Sequence, residues 1–222
     1  MAEMPNTFFQ KCEVAGPGFI NFFLCDDYYA DILFEIKEAG DSYGRSDYGK
    51  GKSINVEFVS ANPTGPMHMG NARGGALGDC LAAVLEWAGY EVAREFYVND
   101  AGNQIDKFGL SLDVRYQQLL LGEEIIELPE DSYHGEDIVE RAQQFKDING
   151  DSFMAKSEEE RRKALVEFAL PKNIETMKGA MEKYRIDYDL WFSELSLHNG
   201  GELQETDCFL FQRPSGHSVE IG

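Results

Sequence analysis

A short apolar strand that runs into a glycine-rich helix through a loop with two prolines constrains this chain more than any other feature. The stretch reads Ile54-Asn-Val-Glu-Phe-Val-Ser-Ala-Asn-Pro-Thr-Gly-Pro-Met-His-Met-Gly-Asn-Ala-Arg-Gly-Gly-Ala-Leu-Gly-Asp79. Ile54 to Val59 has the composition of a strand, and a helix opens near His68. The first N–H groups of a helix lack intrahelical acceptors, and the helix dipole places partial positive charge there, so such a joint suits a nucleotide phosphate. His68 and Asn71 project from one face of the first turn. Gly70 between them lets a ligand come close to the backbone. Glu57 shares a strand face with Asn55 and Val59, and a carboxylate within an apolar strand calls for a cationic partner.

The helix is expected to run from His68 to about Trp87, with Leu77, Leu81, Val84, Leu85 and Ala88 as its core-facing stripe. Gly74, Gly75 and Gly78 each weaken it by about 1 kcal/mol relative to alanine, which points to close packing against a sheet or a ligand. Gly89 ends it, and Glu91 to Val98 reads as a second strand. Strand, helix, strand makes a right-handed parallel unit, so a ligand belongs at the carboxyl end of the strands, where Ser60 to His68 lies. The polar run Asn99-Asp-Ala-Gly-Asn-Gln104 falls on that same edge.

Val56-Glu-Phe-Val-Ser-Ala-Asn-Pro-Thr-Gly-Pro-Met-His-Met-Gly-Asn71 resembles the first signature of class I aminoacyl-tRNA synthetases in its arginyl version. Arg94-Glu-Phe-Tyr-Val-Asn-Asp-Ala-Gly-Asn-Gln-Ile105 is similar to the next strand and loop of the arginyl-tRNA synthetase family. The resemblance implies an α/β class: the first half of the Rossmann-like nucleotide-binding fold of class I synthetases. A mainly helical insertion and the remnant of an N-terminal α+β domain accompany it. The implied division is 1–52 for the remnant and a linker, 53–110 for the first half of the catalytic fold, 111–186 for the helical insertion, and 187–222 for the return to the fold with an atypical tail.

The remaining segments fit that division. Gly16-Pro17-Gly18 reads as a turn, Phe19 to Leu24 as a strand, and Asp26 or Asp27 as the cap of a helix running to about Ala39. Ala15-Gly-Pro-Gly-Phe-Ile-Asn21 resembles the close of the family's N-terminal domain. Gly44 to Ser53 mimics a phosphate loop, but Gly51 stands where a hydroxyl is required and the segment precedes a strand, so a flexible linker is expected. Helices are expected from about Gln104 to Leu121 and from Glu136 to about Ile148. Another opens at the capping box Ser157-Glu-Glu-Glu160 and runs, with a break near Pro171, to about Tyr184. Residues 111 to 222 carry 24 acidic and 12 basic side chains. The resemblance makes this block the insertion that covers the acceptor end of tRNA. Tyr188 to Leu197 resembles the return to the nucleotide fold, and the likeness is expected to fade after Thr206. The second signature, Lys-Met-Ser-Lys-Ser, and an anticodon-binding domain are not found in the sequence.

The formal charge of −20 sets limits. Proteins that grip RNA phosphates carry basic faces, so strong tRNA binding by this stretch alone is not expected. Cys12, Cys25, Cys80 and Cys208 show no metal-site spacing with His68, His134, His198 or His217, which reads as reduced thiols in a cytoplasmic protein and no bound metal. No apolar run approaches the roughly 18 residues of a membrane span.

By resemblance, the reaction joins arginine to AMP at the expense of ATP, with Mg²⁺ as its counter-ion, and then transfers arginine to tRNA(Arg). Ala61, Asn62, Pro63, Thr64, Gly65, Pro66, Met67, His68, Met69, Gly70 and Asn71 would bind ATP. His68 would contact the phosphates, Asn71 would replace the second signature histidine, and Gly70 would lie under the adenosine. Glu57 would take the guanidinium of arginine; Ser60, Asn62 and His68 would hold the rest. The rival for Glu57 is an internal ion pair with Arg73 or Arg94. Three functions remain open on the sequence. One is an arginine–tRNA ligase of which this is the amino-terminal part, inactive or impaired alone. Another is a non-catalytic binding module, and the third is a different adenylyl-transferring enzyme. A half-fold with an open sheet edge also predicts self-association.

Overall fold

The computed structural model describes residues 8–201; Cys208, His217 and the tail from Asp207 to Gly222 lie outside the described residues. The chain opens with an antiparallel hairpin, β1 (Phe9–Ala15) and β2 (Phe19–Leu24), closed at Gly16-Pro17-Gly18 with Ala15 opposite Phe19. Both turn glycines have positive φ (61° and 90°), which L-residues rarely adopt. Helix α1 (Asp26–Ala39) follows and stops at Gly40 (φ 53°). Its N-cap is Cys25, so Asp26 and Asp27 sit inside the first turn and act on the helix dipole instead of capping it. No residue of α1 is buried, and Phe19, Ile20, Leu33 and Phe34 are all exposed.

The segment expected to be a flexible linker is pinned to the end of the next helix. Ser46 N–H donates to Trp87 O (3.0 Å), Gly49 N–H to Ala88 O (2.7 Å) and Gly51 N–H to Gly89 O (2.9 Å). Arg45 stacks over the Trp87 ring at 4.3 Å. A β-carbon at Gly49 would stand 2.6 Å from the Gly89 backbone, so glycine is required there by close approach.

A three-stranded parallel sheet forms the centre, in the order β3 (Ser53–Glu57), β4 (Glu91–Val98), β5 (Leu190–Ser193). Ser53 pairs with Glu91 and Glu57 with Glu95, confirming the parallel unit. Ile54, Val56 and Phe58 alternate onto the face that packs against α2 (Met69–Trp87) and the end of α5 (Glu158–Lys183), in a core with Ala82, Met181 and Ile186. The opposite face carries Asn55, Glu57 and Ala93, all exposed.

Helix α2 presents a different face than its apolar stripe suggests. Leu77, Leu81 and Val84 are 74%, 50% and 65% exposed, whereas Gly75, Gly78 and Ala82 are buried. Side chains this small let the helix axis approach the sheet: a β-carbon at Gly78 would fall inside the Phe58 ring, and one at Gly75 would stand 2.9 Å from Ile186 Cδ1. The glycines and Ala82 thus form the contact face, joined by Leu85 from the expected stripe, and hydrophobic periodicity, which scores glycine as neutral, missed most of it.

Helices α3 (Asn103–Leu121) and α4 (Glu136–Asn149) pack with the first half of α5 around Phe108, Leu112, Tyr116, Ile138, Phe145 and Leu165. The break expected at Pro171 does not occur. Proline removes one hydrogen bond there, but it is exposed on the outer side while Leu165, Ala169, Asn173, Met177 and Met181 form an unbroken buried line on the inner side. Packing of that line holds the helix through the defect. Met177 and Met181 then reach the sheet, so α5 joins the helical block to the sheet. Helix α6 (Glu194–Gly200) closes the described chain. No helix of the described residues is long and apolar enough to cross a membrane.

Candidate nucleotide and cation site

At the carboxyl end of β3 the backbone leaves the sheet abruptly. Val59 (φ 69°) and Ser60 (φ 42°) are both left-handed although neither is glycine. Each such residue costs on the order of 1–3 kcal/mol and persists only where its surroundings fix it. Tyr188 Oη donates to Phe58 O (3.2 Å), Ser60 N–H to Phe58 O (3.0 Å), and Tyr97 N–H to Ser60 Oγ (3.1 Å). The Tyr188 ring lies against Phe58, Phe96 and Trp191, and burial pushes its phenol well above the ordinary range.

The loop then descends to the start of α2, where His68 is the N-cap. Its Nδ1 accepts from Gly70 N–H (3.1 Å), and Asn71 Oδ1 accepts from His68 N–H (2.9 Å), a reciprocal capping box. Because Nδ1 is an acceptor, the neutral imidazole carries its proton on Nε2. Nε2–H and the Asn71 Nδ2 amide have no protein partner among the described residues. His68 and Asn71 line a cleft of about 360 Å³ with Val59, Ser60, Ala61, Asn62, Gly65 and Pro66. The close approach that Gly70 permits is that of the His68 ring: a β-carbon there would stand 2.9 Å from Cε1. Pro63 and Thr64 are buried, Met67 joins the cores under the sheet, and Met69 is 80% exposed, so these four do not line the cleft.

Glu57 does not line the cleft either. It is exposed on the open face of the sheet, directly across from Glu95. The internal ion pair weighed for it is absent. Arg94 is engaged by Glu86 (2.7 Å) and Asp79 (3.5 Å), which holds the Glu86 carboxyl below its usual range, and Arg73 makes no ion pair among the described residues. Like-charged residues directly opposite in a sheet repel. Around Tyr97 the carboxylates of Glu194, Asp100 and Glu57 add to burial in pushing its phenol up. Glu194 Oε2 is buried without a hydrogen-bond partner. None of Glu57, Glu95, Asp100 and Glu194 has a cationic partner among the described residues. The carboxyl end of the sheet therefore carries carboxyl groups without a cationic partner among the described residues, an arrangement suited to a cationic ligand group.

Glu194, Glu95 and Tyr97 were missed by the sequence reading. The signal for Glu95 was the two-residue alternation that places it on the Glu57 face; Glu194 had none, because β5 joins the sheet from far along the chain. Asp100 has a structural task, accepting from Ser193 Oγ (2.6 Å) and Leu195 N–H (2.8 Å), so it ties α6 to β4. Among the described residues no cluster of metal-ligating side chains occurs.

Residues 36–147 match a protein-family model described as tRNA synthetases class I (R), catalytic domain. An arginine–tRNA ligase of Acetivibrio thermocellus is 57% identical over 92% of the chain, and one of Caldanaerobacter subterraneus subsp. tengcongensis is 60% identical over 89%. The chain spans 36% and 35% of the lengths of those relatives. An arginine–tRNA ligase of Desulforudis audaxviator is 47% identical over 98% of the chain, an alignment that extends past Thr206. A solved structure of a candidate arginyl-tRNA synthetase from Campylobacter jejuni superposes with a TM-score of 0.73 and 31% identity, over 89% of this chain and 42% of that one. The signature loop, the parallel sheet and the family match over half of the sequence agree: the chain belongs to the class I arginyl-tRNA synthetase family and carries part of its catalytic domain.

Proposed function

We propose that this chain supplies the nucleotide- and arginine-binding part of an arginine–tRNA ligase. The observation that carries the reading is the His68–Asn71 capping box, which commits Nδ1 and Oδ1 to the helix start and leaves Nε2–H and Nδ2 of these two cleft-lining residues without an acceptor among the described residues. Residues Ala61 to Asn71 form the ATP loop, with Ser60, Ala61, Asn62, Gly65, Pro66, His68 and Asn71 in contact and Pro63, Thr64 and Met67 as its buried support. Mg²⁺ accompanies the ATP phosphates as their counter-ion.

In the first step an arginine carboxylate oxygen attacks the α-phosphorus, the bond to the bridging oxygen breaks, and pyrophosphate leaves. Charge grows on the phosphoryl oxygens, where fixed donors at a helix N-terminus are most effective. His68 and Asn71 meet that charge as hydrogen-bond donors. Glu57 takes the guanidinium, for which a carboxylate is the matching fork, and Glu194 adds a second carboxylate nearby. Ser60, whose Oγ accepts from Tyr97, still has its hydroxyl hydrogen to offer the substrate carboxylate. In the second step a terminal ribose hydroxyl of tRNA(Arg) attacks the arginyl carbonyl and AMP leaves. The helical block at 111–186 lies over the acceptor end in this reading, and its acidic balance makes tRNA affinity of this stretch weak. The whole reading fits a cytoplasmic protein.

Equilibrium dialysis with L-arginine and L-citrulline tests it. Citrulline has the same length without the charge. The chain should retain arginine, reject citrulline, and lose the distinction in Glu57→Gln; equal retention of both ligands would refute the assignment of Glu57.

A further inference from the structure

The loop that carries the signature is held at both ends, by the bonds at Phe58 and Ser60 and by the capping box at His68. Between them, among the described residues, residues 61–66 make a single hydrogen bond to the rest of the protein. Asn173 Nδ2, on α5, donates to Pro63 O at 3.0 Å. Asn173 is 6% exposed, and Pro63 is fully buried. The other end of the amide is also fixed: Oδ1 accepts from Arg141 Nε on α4 at 2.9 Å. Arg141 is itself held by Gln144 Oε1 (3.1 Å) and Thr176 Oγ1 (3.1 Å). A guanidinium can only donate, so it forces Oδ1 toward itself and the NH₂ toward Pro63. Neither orientation of the amide is free.

We propose that Asn173 is a positioning residue for the nucleotide loop, reaching from the helical block to set the place of Pro63 and, through it, the cleft wall from Ala61 to Pro66. The physical case rests on strain and reach. Val59 and Ser60 start the loop in a conformation the chain disfavours, and Pro63 and Pro66 stiffen it, so a displacement at Pro63 is carried along the loop instead of being absorbed locally. Asn173 lies on the buried line of α5 beyond Pro171, where it is four positions before Met177, which packs under the sheet. Arg141 extends the chain of bonds to α4. The helical block and the signature loop are thereby coupled through one amide. The role rests on the nucleotide reading of residues 61–71, but its structural part does not.

The decisive variant is Asn173→Asp, which keeps the shape and the Arg141 contact but has no donor for Pro63. Amide exchange at Thr64, the buried residue that follows Pro63, should rise about tenfold, the scale expected on losing one bond to a buried carbonyl, and Mg-ATP affinity should fall by a similar factor. Exchange in the interior of α4 should not change. Arg141→Met is the second variant, since it leaves the donor in place but frees the amide to turn. It should raise exchange at the same loop amide by a smaller factor, and it decides the matter if Asn173→Asp does not fold. Loop exchange at the unaltered rate in a folded variant overturns the proposal. An unaltered chain that binds no Mg-ATP, with loop exchange still raised in Asn173→Asp, removes the nucleotide reading and leaves the positioning role standing.

Discussion

Gly70 and His68 form a steric pair: a β-carbon on Gly70 would stand 2.9 Å from Cε1 and 3.0 Å from Nδ1 of the imidazole. The signature glycine thus makes room for the signature histidine. Gly70→Ala should turn the ring away from Gly70 N–H and lower Mg-ATP affinity about tenfold or more, an effect on the scale of one catalytic-site donor. His68→Asn separates capping from ligand contact, because asparagine is a good N-cap. It should keep thermal stability within about 0.5 kcal/mol, the range of a neutral cap exchange, while losing nucleotide binding. Calorimetric binding alongside thermal unfolding reads both quantities, and retained affinity in both variants would count against the assigned donor.

The glycines of α2 make a sharper stability test. A β-carbon at Gly74 would meet nothing within 4 Å, whereas one at Gly78 would fall on the Phe58 ring. Gly74→Ala should stabilise by about 0.5–1 kcal/mol through helix propensity. Gly78→Ala should destabilise by about 1–3 kcal/mol or more through overpacking. Urea unfolding of the two variants measures the contrast; two changes of the same sign would contradict the packing described.

Tyr188 gives a dependence on pH. Burial raises its phenol above the ordinary value of 10.0. A group whose folded value is raised stabilises fully below its unfolded value, and the contribution is lost as pH rises past that value. Stability should therefore decline above about pH 10. Tyr188→Phe loses the bond to Phe58 O, costing about 1 kcal/mol at neutral pH, but its alkaline decline should be shallower. Parallel alkaline slopes for the two proteins would show that Tyr188 does not contribute.

Exposed apolar surface predicts association. Leu77, Leu81 and Val84 on α2 and Phe19, Ile20, Leu33 and Phe34 near the amino end lie open to solvent. Sedimentation velocity should show concentration-dependent self-association that weakens in Leu77→Ser/Leu81→Ser. A monodisperse monomer at all concentrations would contradict this.

Much of the fold was legible because local rules and tertiary structure agree in the segment that matters. Strand β4 runs over the very residues expected, Glu91–Val98, and the capping box of α5 forms at Ser157 and Glu160. In α2 the rules held for Leu85 but not for Leu77, Leu81 and Val84: periodicity follows apolar side chains, while much of the contact is made at Gly75, Gly78 and Ala82. Pro171 failed in the opposite sense, since a local helix breaker was outweighed by the buried line of α5. Within the site, His68, Asn71, Ser60 and Asn62 could be found because they lie in one short run. Glu194 and Asn173 could not. They reach the same place only through β5 and α5, and no spacing in the sequence marks contacts made across about a hundred positions.

The amino end of α2, with His68 as its cap, is assigned as a nucleotide half-site. Calorimetric titration of Mg-ATP into the 222-residue chain, beside His68→Asn, tests it most directly. Saturable binding by the unaltered chain and its loss in the variant is the predicted result. No saturable heat with the unaltered chain, or equal binding by the variant, would contradict it.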